Sequence, residues 1–288
     1  MKELSLLMTV YAVCLAITMP SAAQNFDSPV IKRWTVKEKD SKGEEKEVKY
    51  MTIDGIMVHE RDPAKQPHPQ VVTPAPMAAP DSPAPAPSDA TILFDGSGLD
   101  KWTAKDGEQT KWVLTDGALS PTKDSGPIRS KQQFGSCQLH VEFATPKNVV
   151  GSGQGRGNSG VWLMGHYEIQ VLDSYENLTY PDGQSGALYG RHKPLVNASR
   201  PPGEWQSFDV IFHRPRFEEG KVVERATFTL LYNGVLIQDH TELSGGTGWL
   251  GPHAISDYAP HGDKGSIELQ DHGNPVLFRN IWVRKLED

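Results

Sequence analysis

The chain of 288 residues contains two cysteines, Cys14 and Cys137. Cys14 falls inside an apolar N-terminal stretch that reads as a removable leader, so the processed chain keeps Cys137 alone. A disulfide scaffold is thereby excluded, and stability has to come from a buried core. In "SCQLHVEF" the residues Cys137, Leu139, Val141 and Phe143 alternate with Gln138, His140 and Glu142. That alternation puts the thiol on a buried strand face, where it packs rather than reacts. A sustained 3.6-residue apolar period is also missing, so no substantial helix is expected. Basic charge is not in excess. A net charge of −7 and a pI near 5.8 argue against nucleic acid or an anionic membrane as the main partner. The apolar run from Leu6 to Met19 is too short, and lacks the charged stop, for a membrane span.

Other signatures fall short as well. The glycine-rich "GSGQGRGNSG" at 151–160 lacks the Gly-Lys-Ser/Thr ending of a phosphate loop, and a strand pattern rather than a helix follows it. It reads as a flexible loop at a sheet edge, bordering a cleft. His166, His192 and His261 have no metal-ligand spacing. No cofactor is required by the sequence. Asp173, Asp271 and His272 leave room for a divalent cation, although no spacing demands one.

What is present divides the chain into four parts. Residues 1–23 combine a lysine, an apolar run and the small-x-small site Ser21-Ala22-Ala23, the pattern of a cleaved secretory signal and thus of a secreted or periplasmic protein. Cys14 lacks the small residue expected before a lipidated cysteine. Residues 24–62 carry "VKYMTIDGIMVHERD", in which Asp54-Gly55 between apolar runs signals a β-hairpin whose partner is unknown. Residues 63–89 are punctuated by proline and read as an extended spacer without ladders. From 90 to 288 the apolar runs are short, alternating and bounded by Gly, Pro, Asn or Asp, and Asn233-Gly234 marks a type I′ turn. This pattern predicts an all-β sandwich or barrel. Asn177-Leu-Thr and Asn197-Ala-Ser fit the glycosylation sequon, as chance triplets also do.

Two strands carry an unusual polar face. In "NSGVWLMGHYEIQVLDSY", a period of two sets Glu168, Gln170 and Leu172 on one face, with Tyr167, Ile169, Val171 and Asp173 on the other. A bulge after Gln170 would bring Asp173 round beside Glu168. In "GSIELQDHGNP", Glu268, Gln270 and His272 alternate with Ile267 and Leu269. A strand that only packs a sandwich would carry Thr, Ser or Lys at such places, and acids alone would fit a solvated outer face. Acids, amides and a histidine suit a hydroxyl-rich ligand better. Tyr189 in "SGALYG", Trp205 in "PPGEWQSFDV" and Trp162 are candidate stacking walls, with Trp205 equally suited to a core.

These segments, with "YNGV" and "IELQDHGNPVLFRNIWVR", resemble the 3-keto-disaccharide hydrolase domain family, from "ILFDGSGLDKW" to the last strand. The resemblance implies a concanavalin A-like jelly roll of two antiparallel sheets with a concave ligand face. It also implies a bacterial enzyme that cleaves glycosides already oxidised at C3, with carbohydrate as its partner. The family's polar motif residues fall on Glu168, Gln170, Asp173, Tyr189, Gln270, His272 and Arg279.

Chemistry assigns the roles. A C3 ketone acidifies the C2 hydrogen, so the site needs a base, an enolate stabiliser and an acid for the leaving oxygen. His272, backed by Asp271 or Glu268, is the candidate base. Glu168 is the candidate acid if burial raises its pKa. Gln170, Asp173, Tyr189, Trp205, Gln270 and Arg279 are candidate substrate contacts, although alternation sets Arg279 beside Leu277 and Ile281, as in a buried ion pair. Two other readings stand beside this one. A retaining glucanase on the same fold places carboxylates about 5–5.5 Å apart through Glu-x-Asp-x-x-Glu, from which Gln170 and Asp173 depart. A non-catalytic carbohydrate-binding module could use the proline-rich stretch as its tether.

Overall fold

The computed structural model describes residues 30–39, 43–53, 56–57, 68, 70–71, 85–251 and 254–287. The leader, the Asp54-Gly55 turn and most of the 63–89 stretch lie outside them. The chain divides into two compact units near residue 58. The first holds a three-stranded antiparallel sheet of Ile31–Lys39, Glu45–Ile53 and Ile56–Met57. Ile53 pairs with Ile56, and Trp34 stands opposite Tyr50 with the rings stacked at 5.7 Å.

The second unit is a sandwich. Its larger sheet runs Val235–Glu242, Thr227–Tyr232, Gln206–His213, Cys137–Ala144, Leu277–Lys285, Ala118–Ser120, Val113–Thr115, with Thr91–Phe94 also paired to Leu277–Lys285. Its smaller sheet runs Tyr167–Val171, Ser159–Leu163, Gly265–Leu269, Ile128–Phe134, Trp102–Ala104. Neighbouring strands within both sheets are antiparallel.

Alternation decides what lies between the sheets. Cys137, Leu139, Val141 and Phe143 from the larger sheet meet a core shared with Val161, Leu163, Tyr167, Ile169, Val171, Ile267 and Leu269 from the smaller. Tyr167 packs across the gap on Phe212 at 5.7 Å. Each fully buried side chain of this size contributes roughly 1.5–3 kcal/mol. Cys137 has no exposure, and burial pushes its thiol up to about 12. It packs; it does not react.

Tight turns set the hairpin registers. Asn233 and Gly234 have φ of 53° and 80°, both in the left-handed region, as a type I′ turn requires. Met164 and Gly165 do the same at 56° and 71°. Methionine tolerates this poorly, and its burial among core residues offsets the strain. The proline-rich stretch does form one short ladder, contrary to expectation. Gln70–Val71 pairs in parallel with Val196–Asn197, at the point where four residues separate Pro69 from Pro74. The 151–160 segment is tied down rather than loose. Asn177 bonds both the N–H and the carbonyl of Gly153, at 2.8 and 3.1 Å, and Asn274 accepts from the Gly157 N–H at 2.9 Å. The Asn177 and Asn197 amides also donate to the carbonyls of Asp173 and Ser174. Both sequon side chains are thus engaged in internal hydrogen bonds.

Candidate active site

The outer face of the smaller sheet is polar, and the register joins its two polar strands. Glu168 and Glu268 both stand opposite Trp162, one on each side. Gln170 stands opposite Gly160, and the Gln270 N–H bonds the Gly160 carbonyl at 2.9 Å. The face therefore has an acid row, Glu168–Trp162–Glu268, and an amide row, Gln170–Gly160–Gln270. Glu268 continues the first row by pairing with Arg129 at 3.3 Å. With an intervening strand, the Cα atoms of Glu168 and Glu268 are roughly 9–10 Å apart. Their side chains also diverge. A Cβ on Gly160 would lie 2.4 Å from Glu168 Oε1, whereas one on Gly165 would lie 3.0 Å from Glu268 Oε1.

Glu168 is the anomalous group. It is 3% exposed, and its carboxyl accepts no hydrogen bond from any described residue. Burial alone pushes it up to about 8, so it holds its proton at neutral pH. A carboxyl buried without a partner is unfavourable for folding and marks a functional group.

A loop covers this face. The Tyr189 N–H bonds the Glu168 carbonyl, and Gln170 exchanges backbone bonds with Ala187 and Gly186, so the 186–192 segment lies along the edge of the Tyr167–Val171 strand. The loop brings in two tyrosines whose hydroxyls bond at 2.8 Å. Burial raises both, and Glu168 and Asp182 each add repulsion against their ionisation. Asp182 is itself 3% exposed. Beside them, Gln170 Nε2 donates to Gln154 Oε1 and Asn158 Oδ1, both at 3.2 Å. Gln154 in turn donates to Thr179 Oγ1 and the Gly183 carbonyl. Gln270 Oε1 and Gln184 Oε1 are buried acceptors with no donor among the described residues. The set fits a hydroxyl-rich ligand: an acid, a hydroxyl pair, a second carboxyl and several amides, two with unfilled acceptors.

The structure brings together Glu168, Gln170, Tyr189 and Gln270. It separates the other expected site residues. The strand carrying Gln270 ends at Leu269, and the chain turns before His272 can continue the alternation. His272 is exposed; its carbonyl accepts from Asn274 Nδ2 at 3.2 Å, but its imidazole makes no hydrogen bond or ion pair with a described residue. Asp271 points elsewhere, accepting from Ser125 Oγ at 2.9 Å and the Gly126 N–H at 3.0 Å. Neither backs a base.

Asp173 does not swing beside Glu168. It is pinned by Arg156 at 2.7 Å and lines a separate cleft of about 680 Å³ with Asn274 and Lys147. Asp173, Asp271 and His272 thus do not converge on a cation, and among the described residues no group of three or more metal-ligating side chains does.

Arg279 and Trp205 lie on the outer face of the larger sheet, on the opposite side of the sandwich. The guanidinium stacks over the Trp205 ring at 4.0 Å and pairs with Glu142 at 2.6 Å. Glu142 and Asp209 also hold His140. Burial opposes its charge, but these hydrogen bonds outweigh that and raise it to about 9. The ion-pair alternative for Arg279 is the one adopted.

Sequence reading missed Arg129, Gln154, Asn158, Tyr180 and Asp182. For Gln154 and Asn158 the signal was the polar residues among the glycines of 151–160. For Tyr180 and Asp182 no period exists, because they sit on a loop around the short 3₁₀ turn Pro181–Gly183.

Comparison with known proteins adds independent information. A family model described as the 3-keto-alpha-glucoside-1,2-lyase-like domain matches residues 89–284. A 3-keto-disaccharide hydrolase of Bacteroides thetaiotaomicron is 24% identical over 238 residues, covering 68% of this chain and 78% of its own length. A Parabacteroides distasonis protein assigned as a glycosyl hydrolase superposes with a TM-score of 0.69 at 44% identity, over 77% of this chain and 93% of its own. A second protein of that organism with the same assignment superposes at 0.50 and 21% identity, over 69% and 94%. At that identity it shows the fold alone.

Proposed function

The chain belongs to the 3-keto-alpha-glucoside-1,2-lyase-like family, and from that premise we propose that this glycoside-cleaving enzyme acts on glycosides oxidised at C3, by elimination and hydration. The observation that carries the reading is Glu168, a carboxyl kept neutral by burial alone and facing a hydroxyl pair and a second acid. Cleavage next to a ketone needs an acid, a base and a stabiliser for an enolate oxygen.

A base removes the C2 proton, and the electron pair delocalises onto the C3 oxygen as an enolate. The enolate re-forms the ketone as the C1–O bond breaks, and the leaving oxygen takes a proton. Water then adds across C1=C2, its hydroxyl to C1 and a proton to C2. The sum is hydrolysis. Glu168, protonated at neutral pH, is the acid for the leaving oxygen. One proton of the Tyr180–Tyr189 pair holds the two hydroxyls together, and the other is the donor for the enolate. Asp182 is the candidate base, taking the place expected of His272. Gln170, Gln270, Gln154 and Asn158 hold sugar hydroxyls, and the unfilled Gln270 Oε1 receives one. The wide separation of Glu168 from Glu268 weighs against those two forming a retaining-glycosidase pair. The leader-like N-terminus fits an enzyme that works outside the cytoplasm.

The test is direct. Purified protein is given a 3-keto-glycoside deuterated at C2 and, in parallel, the unoxidised parent. Turnover of the ketone alone, with loss of label to water, supports the proposal. Cleavage of the parent with the label retained would overturn it.

A further inference from the structure

We propose that Trp249 is the stacking platform for the leaving group. The inference rests on the glycoside-cleaving reading above and names the residue that meets the part of the substrate released on cleavage. Trp249 sits in "SGGTGWLG", between Gly248 and Gly251, which have φ of 131° and 106° and open space where a Cβ would be. Trp249 and Leu250 remain 49% and 59% exposed. Two large apolar side chains held outward side by side are unfavourable in water and mark a contact surface.

Their position is fixed from below. Arg191, 4% exposed, donates to the Gly246 carbonyl at 2.7 and 2.9 Å, to Ser256 Oγ at 3.0 Å and to the Ser256 carbonyl. Thr247 ties the same loop to the acid strand, its Oγ1 accepting from the Glu168 N–H at 2.6 Å. The indole then stacks on Tyr180, with centroids 5.9 Å apart and planes 22° off parallel. Tyr180 bonds Tyr189, which flanks Glu168. A ladder therefore runs from the buried acid through two phenols to a half-exposed indole.

Its direction assigns the subsite. The ring whose C1–O bond breaks lies against the buried amides. The leaving oxygen faces Glu168, so whatever it carries extends outward, along the ladder. A pyranose has an apolar C–H face that suits an indole. A methyl aglycone is too short to reach one.

The experiment compares a 3-keto-disaccharide with the methyl glycoside of its 3-keto ring, using wild type, Trp249→Ala and Trp249→Phe. We expect Trp249→Ala to raise KM for the disaccharide about tenfold and to leave the methyl glycoside within about twofold. Trp249→Phe should recover most of the loss. Equal losses on both substrates, or no loss on the disaccharide, would overturn the platform while leaving the reaction intact. A wild-type protein inert towards both substrates would instead overturn the reaction, and the platform with it. Thermal unfolding of both variants near the wild-type temperature shows that the readout concerns binding.

Discussion

Glu168→Gln tests the acid and its protonation together. In the unfolded chain the carboxyl titrates near 4.5, whereas in the folded protein burial raises it to about 8. Between those values the folded state binds the proton that the unfolded state has lost. Stability is therefore full below about 4.5 and declines as pH rises through about 8. At about 1.4 kcal/mol per pH unit, the decline is of order 4–5 kcal/mol, or roughly 10–15 °C in a domain of this size. Glutamine keeps the shape, carries no charge and does not titrate.

The variant should thus match wild type at pH 4–5 and exceed it progressively up to pH 9. His140, raised to about 9, also loses stabilisation as pH rises from about 6.5. That contribution is common to both proteins and cancels in the difference. Activity should move the other way. Loss of a general acid costs about 10²–10⁴ in kcat, and wild-type kcat should fall as pH passes about 8. The assay is paired thermal unfolding from pH 4 to 9 with turnover of a 3-keto-glycoside. A flat stability difference would show that Glu168 is ionised at neutral pH, and activity within severalfold of wild type would remove it as the acid.

Gly160→Ala should lower turnover by about tenfold or more with a small change in Tm, because the new Cβ meets Glu168 Oε1 at 2.4 Å and can be relieved by moving that side chain; unchanged kinetics would mean that the carboxyl position is not critical. His272→Ala should leave kcat/KM and Tm close to wild type, since the side chain is exposed and unbonded; loss of turnover would return it to the catalytic set. Asp173→Asn should destabilise by about 1–3 kcal/mol by weakening the pair with Arg156, whose guanidinium keeps its bond to the Tyr175 carbonyl, seen as a lower denaturant midpoint, and a wild-type midpoint would show that the pair is dispensable.

The sequence by itself determined whatever depends on neighbours along the chain. Alternation placed Cys137, Leu139, Val141 and Phe143 in a core, and Asn233-Gly234 at a turn that needs two positive φ values. The same alternation set Glu168 and Gln170 on one face and Glu268 and Gln270 on another, because successive side chains on a strand must point opposite ways. Tertiary structure decided which faces meet. Only pairing of both strands with Ser159–Leu163 makes Gln170, Gly160 and Gln270 one row.

Sheet membership is a long-range choice. Arg279 alternates as regularly as Glu168 does, yet its strand, like the Gln206–His213 strand that Trp205 precedes, joined the other sheet. Strand length is likewise set by packing. Ending at Leu269 turned His272 out to solvent, where one more pair of ladder bonds would have kept it in line. Tyr180 and Asp182 had no period to betray them. They reach the acid because a loop finds its backbone partners along the edge of the Glu168 strand, and burial, a property of the whole fold, then keeps that carboxyl neutral.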